Sequence, residues 1–414
     1  MRIATLQFAP RLGDVEGNMR RADELLKLKR SSTITTTTTN STTSTAKSDE
    51  LGSSVGNGSG PGIEELRPDI LVLPEMAFTG YNFPSLQAIK PYLEPQGRGP
   101  TAQWARETAR HLKCKVCVGY PEISKAEVRH EAPSPSETEK EKYFNSLLVV
   151  DENGEILLNY RKQFLYYTDE TWASEGDVGW GFHALEFDSH RLSSSEDCDA
   201  RLPRQHVPTT FGICMDINPY KFEAPFTAWE FANRVLDSRS QLVIVSTAWL
   251  TVEGREAIAS LGRHQPDMDT FNYWIRRFWP LIEKRMAHDG DIDGGSLRSG
   301  GTPSEKKVVI VFANRTGVEE GTEGVNPTAT YAGTSTIIAI TQKLLPDGKK
   351  GVDEEAAGLK EEDKPLDVKI LCWDIKGAAE EGICFADTLS EPKMTFGLVK
   401  RSDDDDDNDG SDGP

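Results

Sequence analysis

Short apolar runs that end at a polar residue constrain the fold of this chain more than any other feature of its sequence. The clearest is residues 69–74, where four aliphatic residues stand between Asp69 and Pro74. A continuous apolar run of this length is typical of a strand buried on both faces of a sheet. Similar runs predict strands at residues 2–8, 115–120, 209–213, 241–246, 307–314, 334–341 and 368–373.

Helical segments and a hairpin separate these runs. Residues 14–29, 101–111 and 222–236 have helical patterns of apolar residues, and Asn153 and Gly154 form a turn between runs at 146–150 and 155–160. An Asn-Gly pair between two apolar runs strongly indicates a β-hairpin. Strands that alternate with helices and also form hairpins predict a layered α/β fold with a mixed sheet.

Four polar segments interrupt the pattern without replacing an element of it. They lie at about residues 30–62, 122–142, 193–205 and 349–364, and the first is almost entirely Thr, Ser and Gly. Such compositions cannot bury enough apolar surface to offset the entropy of ordering, so we expect disordered insertions. The sequence therefore predicts one domain over residues 1–400, followed by an acidic disordered tail over residues 401–414.

The charge balance excludes some classes of partner. Formal net charge is -19, and no basic patch interleaves with aromatic residues. A surface of this sign repels nucleic acid and anionic membranes. No apolar run is long enough to span a bilayer, the first residues lack a signal pattern, and the six cysteines follow no disulfide spacing. We expect a cytoplasmic or nuclear protein with reduced thiols, with no nucleic acid or membrane as partner.

Three residues that could perform chemistry each follow a predicted strand. Glu75 comes after a buried strand, where desolvation would raise its pKa and suit it to acid–base work. Lys162 ends the second strand of the hairpin, and its ammonium could favour a thiolate or stabilise an oxyanion. Cys214 stands at a strand-to-loop turn, where a thiol is exposed above a sheet edge. Taken singly, each has a commoner explanation: a loop acid, a solvated lysine and a buried structural cysteine.

Other residues near these positions are further candidates. Glu170 lies eight positions after Lys162 and could orient it or a substrate amide, although a surface acid is the alternative. Cys114 and Cys117 have the spacing of a metal knuckle, but no second pair follows, so strand packing is the better interpretation and no metal is expected.

In chain order, the strand-end residues resemble the motifs of the nitrilase superfamily of carbon–nitrogen hydrolases. The matching stretches are residues 2–8, 73–76, 145–162 and 211–216. The resemblance implies an αββα sandwich, no metal or other cofactor, and a monomer or homodimer. It also implies that Glu75 is a general base, that Cys214 is the nucleophile, and that Lys162, Glu170 and the Met215 N–H complete the site, with Lys162 and Met215 at the oxyanion.

One branch of the superfamily resembles the chain more closely. Residues 212–226 and 271–274 are similar to the fungal amino-terminal amidases. This implies protein or peptide substrates with a free N-terminal Asn or Gln, whose side chain is deamidated through a cysteine thioester. A free α-ammonium needs an anionic partner, for which Asp216, Asp267 and Asp269 are candidates. The alternatives are a small-molecule amidase or carbamoylase of the same superfamily, or an inactive scaffold.

Overall fold

The elements of the chain are short strands and helices in alternation. The computed structural model describes residues 1–29, 60–124, 141–177, 181–188, 204–287, 305–344 and 366–397. The strands are β1 Arg2–Gln7, β2 Ile70–Val72, β3 Glu94–Pro95, β4 Lys115–Ser124, β5 Lys142–Val150, β6 Ile156–Arg161, β7 Phe182–Phe187, β8 Gln205–Ile213, β9 Leu242–Thr247, β10 Lys306–Asn314, β11 Val318–Glu319, β12 Ala329–Thr330, β13 Thr336–Leu344, β14 Leu366–Ile375, β15 Gly382–Asp387 and β16 Met394–Gly397. The helices are α1 Val15–Leu26, α2 Ile63–Leu66, α3 Leu86–Ile89, α4 Pro100–Leu112, α5 Tyr167–Glu170, α6 Glu230–Asp237, α7 Arg255–Ser260, α8 Met268–Arg277 and α9 Pro280–Glu283.

Most of the strands assemble into two large mixed sheets, and β11 and β12 pair with each other in a small separate sheet. The first has the order β15-β1-β2-β4-β5-β6, with β3 also paired to β4, and the second has the order β16-β14-β13-β10-β9-β8-β7. Strands β1, β2 and β4 run parallel, as do β8, β9 and β10. The terminal strands β15, β6, β7 and β16 pair antiparallel with their neighbours, whereas the short β3 runs parallel to β4. A mixed sheet of this kind was expected from the combination of crossovers and hairpins.

Three apolar layers hold the sheets and helices together. Val72 and Leu147 of the first sheet meet Ile213 and Ile244 of the second in a fully buried layer between the sheets. Helices α1 and α4 cover the outer face of the first sheet, and α6 and α8 cover that of the second. The prediction of an αββα sandwich is confirmed. In the described part of the chain, every helix is too short or too polar to cross a membrane.

Several local predictions can be compared with the structure. The hairpin is confirmed, since β5 and β6 pair around a turn in which Gly154 has φ 78°. The helix predicted at 222–236 is wrong over its first half, where helix α6 begins only at Glu230. The insertions predicted at 122–142 and 193–205 extend too far, because Ser124, Lys142 and Gln205 belong to strands. Most of the four predicted insertions and the whole acidic tail lie outside the described residues, so the domain limits stay predictions.

Candidate active site

The structure brings the three strand-end residues together. Glu75 follows β2, Lys162 follows β6 and Cys214 follows β8, so the site lies where the two sheets meet at one end. Glu75 and Lys162 are fully buried, whereas Cys214 keeps 9% of its surface exposed. Cys214 is therefore the member of this set that a molecule from solution can reach.

Lys162 is held by two buried carboxylates. Its Nζ donates hydrogen bonds to Glu75 Oε1 at 2.7 Å and to Asp169 Oδ2 at 2.5 Å. Burial alone would lower the pKa of the Lys162 ammonium, but Asp169 and Glu75 outweigh this and raise it. The side chain is thus a fixed, positively charged donor, as an oxyanion site requires.

Glu75 is fixed at both of its oxygens. Asn145 Nδ2 donates to Oε1 at 2.6 Å, and the Ala248 N–H donates to Oε2 at 2.7 Å. Burial raises the pKa of the Glu75 carboxyl, although the charge of Lys162 opposes the shift. Gly119 of β4 lies against the backbone of Glu75. A Cβ added to this glycine would lie only 2.7 Å from the Glu75 Cα. Only a glycine allows strand and acid to approach in this way.

Cys214 lies on a strained turn. It has φ 43° and begins a short 3₁₀ turn directly after β8. Few residues other than glycine adopt this conformation, and such strain concentrates at functional sites. Burial raises the pKa of the Cys214 thiol, and the charge of Glu75 raises it further while Lys162 lowers it. Burial thus favours the neutral thiol form of Cys214 over the thiolate. Met215 follows in the same turn, and its predicted oxyanion role stays a prediction.

The expected second acid is Asp169 and not Glu170. Glu170 is exposed at the end of α5, whereas Asp169 is fully buried. Besides Lys162, the Asp169 carboxylate accepts hydrogen bonds from Tyr81 Oη at 3.0 Å, the Tyr166 N–H at 3.0 Å and Asn145 Nδ2 at 2.9 Å. Spacing along the sequence pointed to this segment, but the single turn of α5 decides which of the two adjacent acids faces inward.

The carboxylates suggested for the substrate ammonium have other partners. Asp216 is buried and accepts hydrogen bonds from Tyr160 Oη and from the N–H groups of Ile213, Gln163 and Phe164, at 2.7–3.0 Å. It therefore locks the nucleophile turn to the segment after Lys162, and its predicted substrate role is wrong.

Asp267 and Asp269 lie at the start of α8. The Asp267 side chain caps this helix through the N–H groups of Asp269 and Thr270, and also accepts from the Thr251 hydroxyl. Because the Asp267 carboxylate caps the helix, it is not free, which contradicts the prediction that it binds the substrate ammonium. Asp269 is exposed in the first turn of the helix, so its substrate role stays a prediction without a supporting contact.

A second buried cluster, which the sequence did not reveal, supports the first. The Glu319 carboxylate accepts from the N–H groups of Tyr81 and Asn82 and from Tyr331 Oη at 2.6 Å, and it pairs with Arg315. Tyr81 in turn donates to Asp169. No local sequence pattern predicts this contact, because Glu319 and Tyr81 are 238 positions apart. Within the described ranges, His, Cys, Asp and Glu side chains form no cluster suited to a metal ion.

Comparison with known proteins identifies a family and several relatives of this chain. The family model described as carbon–nitrogen hydrolase matches residues 2–179. A protein N-terminal amidase of Schizosaccharomyces pombe is 30% identical over 286 residues, which cover 66% of this chain and 79% of that protein. A protein N-terminal amidase of Saccharomyces cerevisiae is 25% identical over 337 residues, covering 68% of this chain and 64% of that protein. The chain thus spans slightly less than two thirds of the budding-yeast relative.

Solved structures agree with this on the fold. The crystal structure of an N-terminal amidase superposes with a TM-score of 0.60 at 22% identity, covering 97% of this chain and 99% of the other. The crystal structure of an N-terminal amidase with an Asn-Glu-Ala peptide superposes with the same score at 21% identity.

Proposed function

This chain belongs to the carbon–nitrogen hydrolase family, and from that premise we propose that it deamidates the side chain of an N-terminal Asn or Gln on proteins or peptides. The observation that carries the chemistry is the buried contact of the Lys162 ammonium with the Glu75 carboxylate beside Cys214. The 30% identity to a protein N-terminal amidase supports the choice of substrate.

The first half of the reaction forms a thioester. Glu75 accepts the proton of the Cys214 thiol, and the sulfur attacks the carboxamide carbon of the substrate. Moving one proton from the thiol to the carboxylate leaves the net charge of the buried site unchanged, and burial raises the pKa of both groups. Lys162 and the Met215 N–H stabilise the oxyanion. The carbon–nitrogen bond then breaks as Glu75 returns the proton to the departing ammonia.

The second half restores the enzyme. Water, deprotonated by Glu75, attacks the thioester carbon, and the carbon–sulfur bond breaks. Cys214 recovers its proton, and the product carries Asp or Glu at its N terminus. Removal of a positioned oxyanion donor commonly costs about 10²–10³ in rate, so Lys162→Ala should lose about that factor.

The direct test offers the enzyme matched peptides. Peptides that begin with Asn or Gln should release ammonia and acquire the mass of the acid, while the same peptides acetylated at the N terminus should not react. Equal turnover of acetylated peptides would refute recognition of the free terminus. Hydrolysis of small free amides, with no reaction on any Asn or Gln peptide, would select the small-molecule amidase instead.

A further inference from the structure

Helix α8 holds the end of the turn that carries the nucleophile. Arg277, the last residue of this helix, is buried, and its Nε donates a hydrogen bond to the Ile217 carbonyl at 2.7 Å. Ile217 ends the short 3₁₀ turn that begins at Cys214. The last carbonyls of such a turn have no partner within it, so a buried turn needs a donor from outside. Arg277 supplies that donor.

The burial of this guanidinium is costly. Its Nη1 donates to the Phe226 carbonyl, whereas its Nη2 lies 3.6 Å from Glu230 Oε2, too far for a hydrogen bond. Within the described ranges, neither Arg277 Nη2 nor Glu230 Oε2 has a hydrogen-bond partner. A buried charge without a close anion lowers the stability of a fold, and an apolar side chain of similar size often raises it. The presence of arginine at this position therefore indicates a requirement beyond packing.

A second residue on the same face of α8 acts on the same turn. Tyr273 precedes Arg277 by four positions, so the two side chains are neighbours on the helix surface. Tyr273 Oη donates to Asn218 Oδ1 at 2.7 Å. The Asn218 N–H in turn donates to the Met215 carbonyl at 2.9 Å, and Asn218 Nδ2 lies 3.3 Å from Met215 Sδ. Tyr273 therefore holds the residue that follows Cys214 through one intermediate side chain.

The same helix contacts the segment that fixes the base. Trp274 packs edge-on against Trp249 with ring centroids 5.9 Å apart, and Tyr273 packs on the same ring at 5.6 Å. Trp249 directly follows Ala248, whose N–H donates to Glu75 Oε2 at 2.7 Å. Helix α8 thus connects the nucleophile turn to the segment that holds Glu75.

The conformation of Cys214 requires support of this kind. Its φ of 43° is rare for residues other than glycine, and such strain persists only where the surrounding structure determines it. Asp216 already ties the turn to the segment after Lys162. The contacts of α8 supply the second tie, toward Glu75.

We propose that Arg277 and Tyr273 are positioning residues that fix the Cys214 sulfur relative to the Glu75 carboxylate. The inference rests on the proposed function, because it concerns the nucleophile of that reaction. A misplacement of about 1 Å at a reacting atom can cost about 10² in rate, so Arg277→Ala should lower kcat by about that factor. KM should change little, since neither side chain contacts the substrate in this role.

The test measures kcat and KM for an Asn-initiated peptide, with circular dichroism at the assay temperature to confirm folding. Guanidinium chloride, below denaturing concentrations, should restore part of the kcat of Arg277→Ala, because the free cation can donate to the Ile217 carbonyl in place of the lost side chain. Sodium chloride at the same ionic strength should not. A side chain that only stabilises the fold would give no such rescue.

Tyr273→Phe is the milder variant, since it removes the hydroxyl and keeps the ring that packs on Trp249. We expect kcat to fall by about two- to ten-fold, the effect of one neutral hydrogen bond, with KM little changed. Arg276→Ala is the matched control, because Arg276 is the adjacent arginine of α8 and is exposed. It should keep the wild-type kcat and KM.

The outcomes separate this proposal from the proposed function. Wild-type kcat in Tyr273→Phe would overturn the role of Tyr273. A loss of kcat in folded Arg277→Ala that guanidinium does not restore would overturn the role of Arg277, and if that variant does not fold, Tyr273→Phe decides the proposal. In each case the wild type still deamidates the peptide and the proposed function stands. If the wild type deamidates no Asn or Gln peptide, both fail.

Discussion

Replacing Asp169 by Asn tests the buried charge arrangement most sharply. The carboxylate receives four donors: Lys162 Nζ, Tyr81 Oη, the Tyr166 N–H and Asn145 Nδ2. An amide accepts hydrogen bonds only through its oxygen, and its NH₂ group donates. Whichever carboxylate oxygen of Asp169 is replaced by NH₂, the new group faces at least one donor. The substitution therefore breaks hydrogen bonds and also removes a charge.

The magnitude follows from the loss of one partner of a buried ion pair. Removing the whole partner of a buried ion pair costs about 3–5 kcal/mol, because the other charge is left uncompensated. Lys162 keeps Glu75 as a partner, so the free energy of unfolding of Asp169→Asn should fall by less, by about 1.5–3 kcal/mol for the loss of hydrogen bonds to a charged group. With the Lys162 ammonium held by one carboxylate only, kcat/KM should fall by up to about 10²–10³, the usual cost of losing an oxyanion donor.

The pH profile gives a signature that a general loss of stability would not. Burial lowers the pKa of Lys162, and Asp169 and Glu75 raise it. Without Asp169, the balance shifts toward the uncharged amine, so the residual activity should be lost at a lower alkaline pH than in the wild type. The assay is kcat/KM for an Asn peptide as a function of pH, with circular dichroism to confirm folding.

Glu170→Gln is the matched control, since it removes the adjacent but exposed acid. Surface substitutions of this kind usually change stability by less than about 0.5 kcal/mol. We expect wild-type activity and an unchanged alkaline limb. Wild-type behaviour of Asp169→Asn together with an inactive Glu170→Gln would refute the assignment.

Three further expectations follow from the buried groups. Burial raises the pKa of Glu75, so the carboxylate that acts as base should be lost as pH falls through a value above 4.5; a kcat/KM profile whose acid limb lies below that value would contradict this role. Tyr81→Phe removes a hydrogen bond to the charged Asp169, which should lower the free energy of unfolding by about 1.5–3 kcal/mol. It should also lower kcat more than it changes KM. Steady-state kinetics with an unaltered kcat would show that Tyr81 does not position the site. Burial raises the pKa of Glu94 from 4.5 to about 7, so the folded state prefers the protonated acid. The free energy of unfolding should therefore fall by about 3 kcal/mol as the pH rises through that range. Thermal unfolding at acid and alkaline pH should show a smaller fall for Glu94→Gln.

The positions of Glu75, Lys162 and Cys214 were predictable because each follows an apolar run. The ends of buried strands are readable from a sequence, and side chains just beyond them gather at one sheet edge. Asp169 was missed for a local reason, since neighbouring acids in a single helical turn differ only in the direction they face.

Other features depended on contacts between distant parts of the chain. Glu319 holds the backbone of Tyr81, and β15 pairs with β1 so that Ile383 lies opposite Leu6. Neither contact leaves a local pattern. The aromatic segment before Glu230 has apolar residues at helical spacing, but the prolines and left-handed residues within it produce a strained loop instead.

Identification of the covalent intermediate is the most direct test of the account. The enzyme is mixed with an Asn-initiated peptide, quenched in acid during turnover, digested and analysed by mass spectrometry. We predict that the peptide, having lost ammonia, is attached to the fragment that contains Cys214, and that Cys214→Ser forms no such thioester and has lost turnover. A peptide adduct on another cysteine, or wild-type turnover by Cys214→Ser, would contradict the central claim.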